Sequence, residues 1–95
     1  VLLESDIEIR AVGYAKSIGI RNVIKLNVTG SVGWPDRVFF KNGRTLFIEF
    51  KRPGEQPRPT QVFKMDILRN DGFQCEVCDS FVQAKQVLDN FLKAV

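Results

Sequence analysis

The chain has no histidine. That absence removes histidine–metal nucleases, zinc hydrolases of the His-Glu-x-x-His type, and every Ser-His or Cys-His relay. Any chemistry must run on carboxylates, lysine and a metal. Cysteine is nearly as scarce, with Cys75 and Cys78 alone. Cys-x-x-Cys is redox-active or half a zinc site in some settings, but no other Cys or His is present to complete a zinc sphere. The pair falls in and just after a predicted strand, not at a helix start. Buried reduced thiols, in a reducing cytoplasm, are the expectation. No apolar run approaches a membrane span and no secretory signal is recognisable. The chain begins with Val, which fits a trimmed start or a lost initiator Met.

What is present is a short, basic, apolar-rich chain: 95 residues, 44% hydrophobic, 26% charged, net charge +3. That is one small globular domain, residues 1–95, with a thin but adequate core. The positive balance suits an acidic partner such as nucleic acid, and many unrelated proteins carry as much.

The most informative stretch is Gly33-Trp34-Pro35-Asp36 followed by Ile48-Glu49-Phe50-Lys51. Between them, Arg37 to Phe40 and Thr45 to Phe47 read as two strands joined at Asn42-Gly43, a hairpin signal. Side chains two apart on a strand share a face. Glu49 and Lys51 therefore emerge together, and Phe50 points away. Leu46, Ile48 and Phe50 line one face, and Phe47 shares the other with Glu49 and Lys51. A strand apolar on both faces is central and covered on both sides. Taken singly, Glu-x-Lys is a solvated face and Pro-Asp opens a turn. On so apolar a strand, charges need partners or a task. Two converging carboxylates beside an ammonium can hold a divalent metal next to a group that handles a phosphate or a water.

The remaining elements follow in order. Ser5 with Glu8 matches a capping box, opening a first helix that Gly19 ends. At about 100° per residue, Ile7, Ala11, Val12, Tyr14, Ala15 and Ile18 form an apolar arc with Glu8 inside it. Arg21 to Val28 reads as a strand. Three prolines make residues 52–59 a loop. Thr60 caps a second helix running to about Asn70, closed by Gly72. Phe73 to Val77 is a last strand, and Ser80 with Gln83 opens a third helix through Leu92.

This pattern resembles the PD-(D/E)-x-K nuclease superfamily: an acid on a first helix, Pro-Asp, a hairpin to Glu-x-Lys, then helix and strand. More narrowly, Gly33-x-Pro35-Asp36, Glu49-Phe50-Lys51, Pro53-Gly54 and Gln61 resemble the VRR-NUC family, over about Glu4 to Cys78. The resemblance implies an α/β fold with a restriction-endonuclease-like core, order α-β-β-β-α-β-α, and a central mixed sheet flanked by helices. It implies that Asp36, Glu49 and the main-chain carbonyl of Phe50 bind Mg²⁺ or Mn²⁺. Lys51 would orient the attacking water or neutralise phosphate charge, and Gln61 would steady water or substrate. The helical acid is Glu8 or Glu4. Helical phase favours Glu8, and the Glu-x-x-Ile pattern of some relatives fits Glu4.

The implied activity is metal-dependent hydrolysis of DNA phosphodiesters, with no nucleotide cofactor and no membrane partner. The expected location is cytoplasmic, in a viral or bacterial setting. Arg37, Lys41, Arg44, Arg52, Arg58 and Lys64 flank the motif in sequence and are expected DNA contacts, unless they serve solubility alone. Trp34 is either a base-stacking platform or a packing anchor. Single-domain, virus-encoded relatives look like Holliday-junction resolvases acting as homodimers. A junction needs two strands cut, one small domain has one metal site, and eight Phe plus Trp34 exceed an easy core. The third helix is the first candidate for the dimer contact. The alternatives are a non-cleaving module for branched DNA and a flap- or strand-nicking nuclease of a repair complex.

Overall fold

The computed structural model describes residues 3–94. Its elements are α1 (Glu4–Ser17), β1 (Asn22–Lys25), β2 (Arg37–Lys41), β3 (Arg44–Phe50), α2 (Pro59–Asn70), β4 (Gln74–Cys78) and α3 (Phe81–Lys93). The four strands form one sheet in the order β1-β2-β3-β4. β1, β2 and β3 pair antiparallel, and β3 pairs parallel with β4. The sheet is therefore mixed, with α2 as the crossover that a parallel pair requires. This is the order and sheet type expected.

The hairpin forms because Asn42 and Gly43 both take positive φ, 52° and 76°. That is the signature of a type I′ turn, whose twist matches the flanking strands. It pairs Lys41 with Arg44 and sets the register of the whole β2–β3 ladder. β3 is central, and its last five residues are buried. Leu46, Ile48 and Phe50 pack with Phe39, Ile7, Ala11, Ala15, Leu88 and Phe91 beneath α1 and α3. Phe47 packs on the opposite face with Val38, Met65, Leu68 and Cys75 beneath α2. The result is a three-layer sandwich, with α1 and α3 over one face of the sheet and α2 over the other.

Several element ends differ from the sequence reading. α1 begins one residue earlier than Ser5, and Asp6 accepts the Leu3 N–H at 3.1 Å. β1 is only four residues long. Its ladder meets Arg37 at Lys25, gains one bond from Leu26 N–H to the Asp36 carbonyl, and then meets Pro35, which has no N–H to give. α2 starts before Thr60: Arg58 is the cap and Pro59 is the first helical residue, a position its fixed φ suits. β4 is shifted one residue onward, to Gln74–Cys78. Ser80 caps α3 by accepting the Gln83 N–H at 3.1 Å, but the Gln83 side chain reaches Asp79 rather than closing the box on Ser80.

Cys75 and Cys78 are free and buried. Three residues apart on a strand, they point to opposite faces, one beneath each helical layer. They cannot meet as a disulfide without dismantling β4. Burial pushes both thiols up, that of Cys78 to about 12.

Candidate active site

The site sits where β2 begins, β3 ends and α2 begins. Beyond Arg37 the β2–β3 ladder stops, so the Phe50 N–H has no strand partner. The Asp36 carboxylate accepts it at 2.8 Å. In an extended strand a residue's N–H and C=O point to the same side. The Phe50 carbonyl therefore faces the Asp36 side of β3.

Glu49 is 3% exposed, on the face opposite Phe50. Its Oε2 accepts the Gln61 Nε2 at 2.7 Å and lies 3.3 Å from the Lys51 Nζ. Its Oε1 is buried with no hydrogen-bond partner. An unpaired buried carboxylate oxygen is costly. Burial, and secondarily the negative charge of Asp36, push the Glu49 carboxyl up to about 7. Asp36 is raised too, chiefly by burial, against the pull of the Phe50 N–H.

Gln61 is oriented by the helix end it stands on. It occupies the third position of α2, and its Oε1 accepts the Arg58 N–H at 2.8 Å. With the oxygen committed to capping, the amide nitrogen faces Glu49. Gly33 brings the two halves together. It has φ 83°, and a Cβ there would lie 2.3 Å from the Thr60 carbonyl oxygen. Only glycine lets the loop before Asp36 pass against the first turn of α2 so closely.

A concavity of about 310 Å³ opens over these groups, lined by Asp36, Glu49, Lys51 and Gln61 together with Glu4, Glu55, Gln56 and Arg58. The structure thus gathers the four residues of the motif. It separates the two helical acids. Glu8 is turned inward as its phase requires, but its carboxylate binds the Arg37 Nε at 2.5 Å and lies 3.8 Å from the Lys25 Nζ. Glu4, in the first turn of α1, lines the concavity.

The expected DNA-contacting cations also separate. Arg37 is held by Glu8 rather than facing the cleft. Lys41 and Arg44 lie at the hairpin end of the sheet, where Lys41 donates to the Gly19 carbonyl and Arg44 to the Phe91 carbonyl. They adjoin the motif in sequence but not in space. Arg58 lines the concavity, and Arg52 pairs with Glu55 at 3.2 Å on its edge. Lys64 lies 4.7 Å above the Trp34 ring, and both reach the Ser31 hydroxyl. Trp34 packs against Phe47, with ring centroids 6.3 Å apart, and so serves as an anchor for the loop.

Glu55 and Gln56 belong to no motif in the sequence. Pro53-Gly54 does, and its turn is what brings them to the site. Gly54 has φ 82° and the Glu55 N–H bonds the Arg52 carbonyl at 2.9 Å, a turn that folds the chain back over the end of β3.

Hard oxygen donors predominate here, the set that suits Mg²⁺ or Mn²⁺. Among the described residues no three His, Cys, Asp or Glu side chains gather to hold a metal unaided. The side-chain ligands the chain offers are the Asp36 and Glu49 carboxylates, with the Phe50 carbonyl on the same side.

The VRR-NUC domain model matches residues 6–82, a segment holding Asp36, Glu49, Lys51 and Gln61, with Glu4 just before it. The chain is 36% identical, over a 96-position alignment that covers all of it and 97% of the relative, to "Putative nuclease p44" of Acyrthosiphon pisum secondary endosymbiont phage 1. A solved structure described as "VRR_NUC domain" superposes with a TM-score of 0.83 at 26% identity, over 93% of this chain and 96% of the other. A second, "VRR_NUC domain protein", shares the fold at a TM-score of 0.83 and 16% identity, over 97% and 89%. On the matched segment, the full-length relative and the shared fold together, this chain belongs to the VRR-NUC family of nucleases.

Proposed function

We propose that the protein is a Mg²⁺- or Mn²⁺-dependent, structure-specific endodeoxyribonuclease that resolves four-way (Holliday) junctions as a homodimer. The observation that carries the metal dependence is the unpartnered, buried Oε1 of Glu49 beside Asp36. Two neighbouring carboxylates, both raised chiefly by burial, Glu49 also by the charge of Asp36 and Asp36 by that of Glu8, would be relieved by a bound cation. Asp36, Glu49 and the Phe50 carbonyl would hold it, with water filling the other positions, as Mg²⁺ prefers. A cation held by these groups would supply Lewis acidity and a more acidic water for phosphodiester hydrolysis.

The chain's own groups do the rest. Lys51, held 3.3 Å from Glu49, stands at the edge of the carboxylate pair, where its ammonium meets charge growing on the phosphate. Gln61 fixes Glu49 through one oxygen and leaves the other facing the site. Glu4, at the rim, is the helical acid we assign to water or metal, in preference to Glu8. Arg52 and Arg58 at the rim, and Lys64 beyond it, would take backbone phosphates without reading sequence.

The dimer reading also has a physical support, on a different helix from the one expected. α3 spends its apolar stripe on the core, burying Ala84, Leu88 and Phe91, and leaves Val82 alone exposed. α2 does not: Val62, Phe63 and Ile67 are exposed, Phe63 by 67%. An apolar helix face of this kind suits an isologous contact. We therefore assign the dimer contact to α2.

Incubating the protein with labelled linear, flap and four-way-junction DNA in Mg²⁺, Mn²⁺ or EDTA tests the reading. Symmetric paired cuts in the junction, dependent on metal, are expected. Preferred flap cutting would replace resolution with strand nicking, and tight binding without cutting would leave a branched-DNA-binding module.

A further inference from the structure

A second concavity, of about 620 Å³, lies at the other end of β3, between the α1–β1 connection and the hairpin. Arg21, Asn22, Lys41, Asn42 and Arg44 line it, with Phe40 on one wall and no acidic side chain. Among the described residues none of Arg21, Lys41 and Arg44 takes part in an ion pair. Two of the three cations are nonetheless fixed in place. The Lys41 Nζ donates to the Gly19 carbonyl at 3.0 Å. The Arg44 Nη1 donates to the Phe91 carbonyl at 2.6 Å, and its guanidinium lies 4.6 Å from the centre of the Phe91 ring. Each neutral acceptor uses one N–H and cancels no charge. Lysine retains further N–H donors, and the guanidinium retains several in a fixed fork.

Three cations line one concavity that holds no carboxylate, and neutral partners fix two of them, Lys41 and Arg44, which makes it an anion site. We propose that it is a second DNA-backbone site, separate from the cutting site, which takes phosphates of the substrate's flanking duplex. The proposal rests on the nuclease reading for its ligand and goes beyond it in location and residues. Arg44 is five residues before Glu49 on β3 and on the opposite face of the strand, so the two sites are about 17 Å apart along the strand at the usual rise and open on different sides of the sheet. That span is about five steps of duplex DNA. Phosphates seated here belong to an arm of the substrate running away from the cut bond. The contact would set where the scissile phosphate lies relative to the branch, and would add affinity independent of base sequence.

The test measures binding of a four-way junction in EDTA, where no cutting occurs, across a range of salt concentration. It compares the native protein with Arg21→Gln/Lys41→Gln/Arg44→Gln and with the charge-keeping Lys41→Arg/Arg44→Lys. Each phosphate contact adds about 0.9 to the slope of log affinity against log salt. The neutral triple variant should lose about two to three units of slope and at least tenfold in affinity at about 0.1 M salt. The charge-keeping variant should retain the native slope. Should the triple variant not fold, the three single Gln variants decide, each expected to lose about one unit. Native slope and affinity in the neutral variants, with the native protein still binding and cutting, would overturn the second site and leave the nuclease reading intact. A native protein that neither binds nor cuts would overturn both.

Discussion

Replacing Glu49 by Gln should destroy cleavage and stabilise the metal-free fold. The Glu49 carboxyl moves from 4.5 to about 7 on folding, mainly by burial and then by the charge of Asp36. A carboxyl raised in the folded state contributes stability that is complete below its unfolded value. That stability is lost as pH climbs through its folded value. The window is therefore pH 4.5 to about 7. At roughly 1.4 kcal/mol per unit, the metal-free protein should lose about 3 kcal/mol across it. Asp36, shifted in the same direction, adds to the loss.

A Gln at this position cannot ionise, keeps an oxygen for the Gln61 amide, and turns N–H donors toward the side now left unpaired. Lys51 loses its charged partner, which offsets part of the gain. A net stabilisation of about 2 kcal/mol at pH 8 follows, a rise of roughly 10 °C in melting temperature for a domain this small. Urea denaturation in EDTA at pH 5 and pH 8 measures it. The native protein should be the less stable at pH 8, and the variant should show a smaller dependence. Mg²⁺ at pH 8 should restore the native protein and do little for the variant. Native stability that rises from pH 5 to pH 8, or a variant weaker than native at pH 8, would refute the account of Glu49 as an uncompensated buried charge.

Asp36→Ala and Lys51→Ala should each lower cleavage of junction DNA by about 10²-fold or more with the far-UV spectrum unchanged. Glu4→Gln should lower turnover without altering the melting temperature. Glu8→Gln should instead cost about 2 kcal/mol by leaving Arg37 in a half-buried pair with no carboxylate, and paired melts and rates separate the two. Gly33→Ala drives a Cβ against the Thr60 carbonyl at positive φ, so a loss of about 2–4 kcal/mol is expected in denaturant unfolding. Cys75 and Cys78 should react with a thiol reagent only in denaturant, and native reactivity or a disulfide under oxidant would contradict their burial on opposite faces.

The parts of the fold that were legible in the sequence are those governed by neighbours in the chain. The Asn42-Gly43 turn is dictated by two residues that tolerate positive φ, and it fixed the β2–β3 register at once. The two-sided apolar pattern of β3 marked it as central because a strand has only two faces to cover. The end of α2 at Asn70 and the Ser80 cap were equally local. The misjudged boundaries depended on something distant or on a residue with two uses. β1 ends where Pro35, ten positions from Lys25, interrupts the opposite strand. Pro59 breaks a helix in its middle and starts one at its first position, and three prolines in eight residues concealed which applied.

The same division runs through the site. Asp36, Glu49 and Lys51 could be assembled from sequence because one hairpin carries all three, and Gln61 because a cap orients it. What phase and spacing do not fix is the identity of a charge's partner. The periodicity of α1 turned Glu8 inward correctly, but whether an inward acid meets a metal or a guanidinium is decided by Arg37, across the sheet. The six flanking cations looked equivalent in sequence, yet a hairpin sends its turn to the far end of the sheet from its strand termini. Lys41 and Arg44 therefore had to part from Arg52 and Arg58 once the turn formed. The apolar surplus followed the same logic. α3 has a clean amphipathic stripe and so has somewhere to bury it, whereas α2 carries Val62, Phe63 and Ile67 off the stripe that Met65 and Leu68 occupy. A helix whose apolar residues exceed one face is the one left with exposed apolar surface, and α2 is the same helix whose first turn holds Gln61 against Glu49.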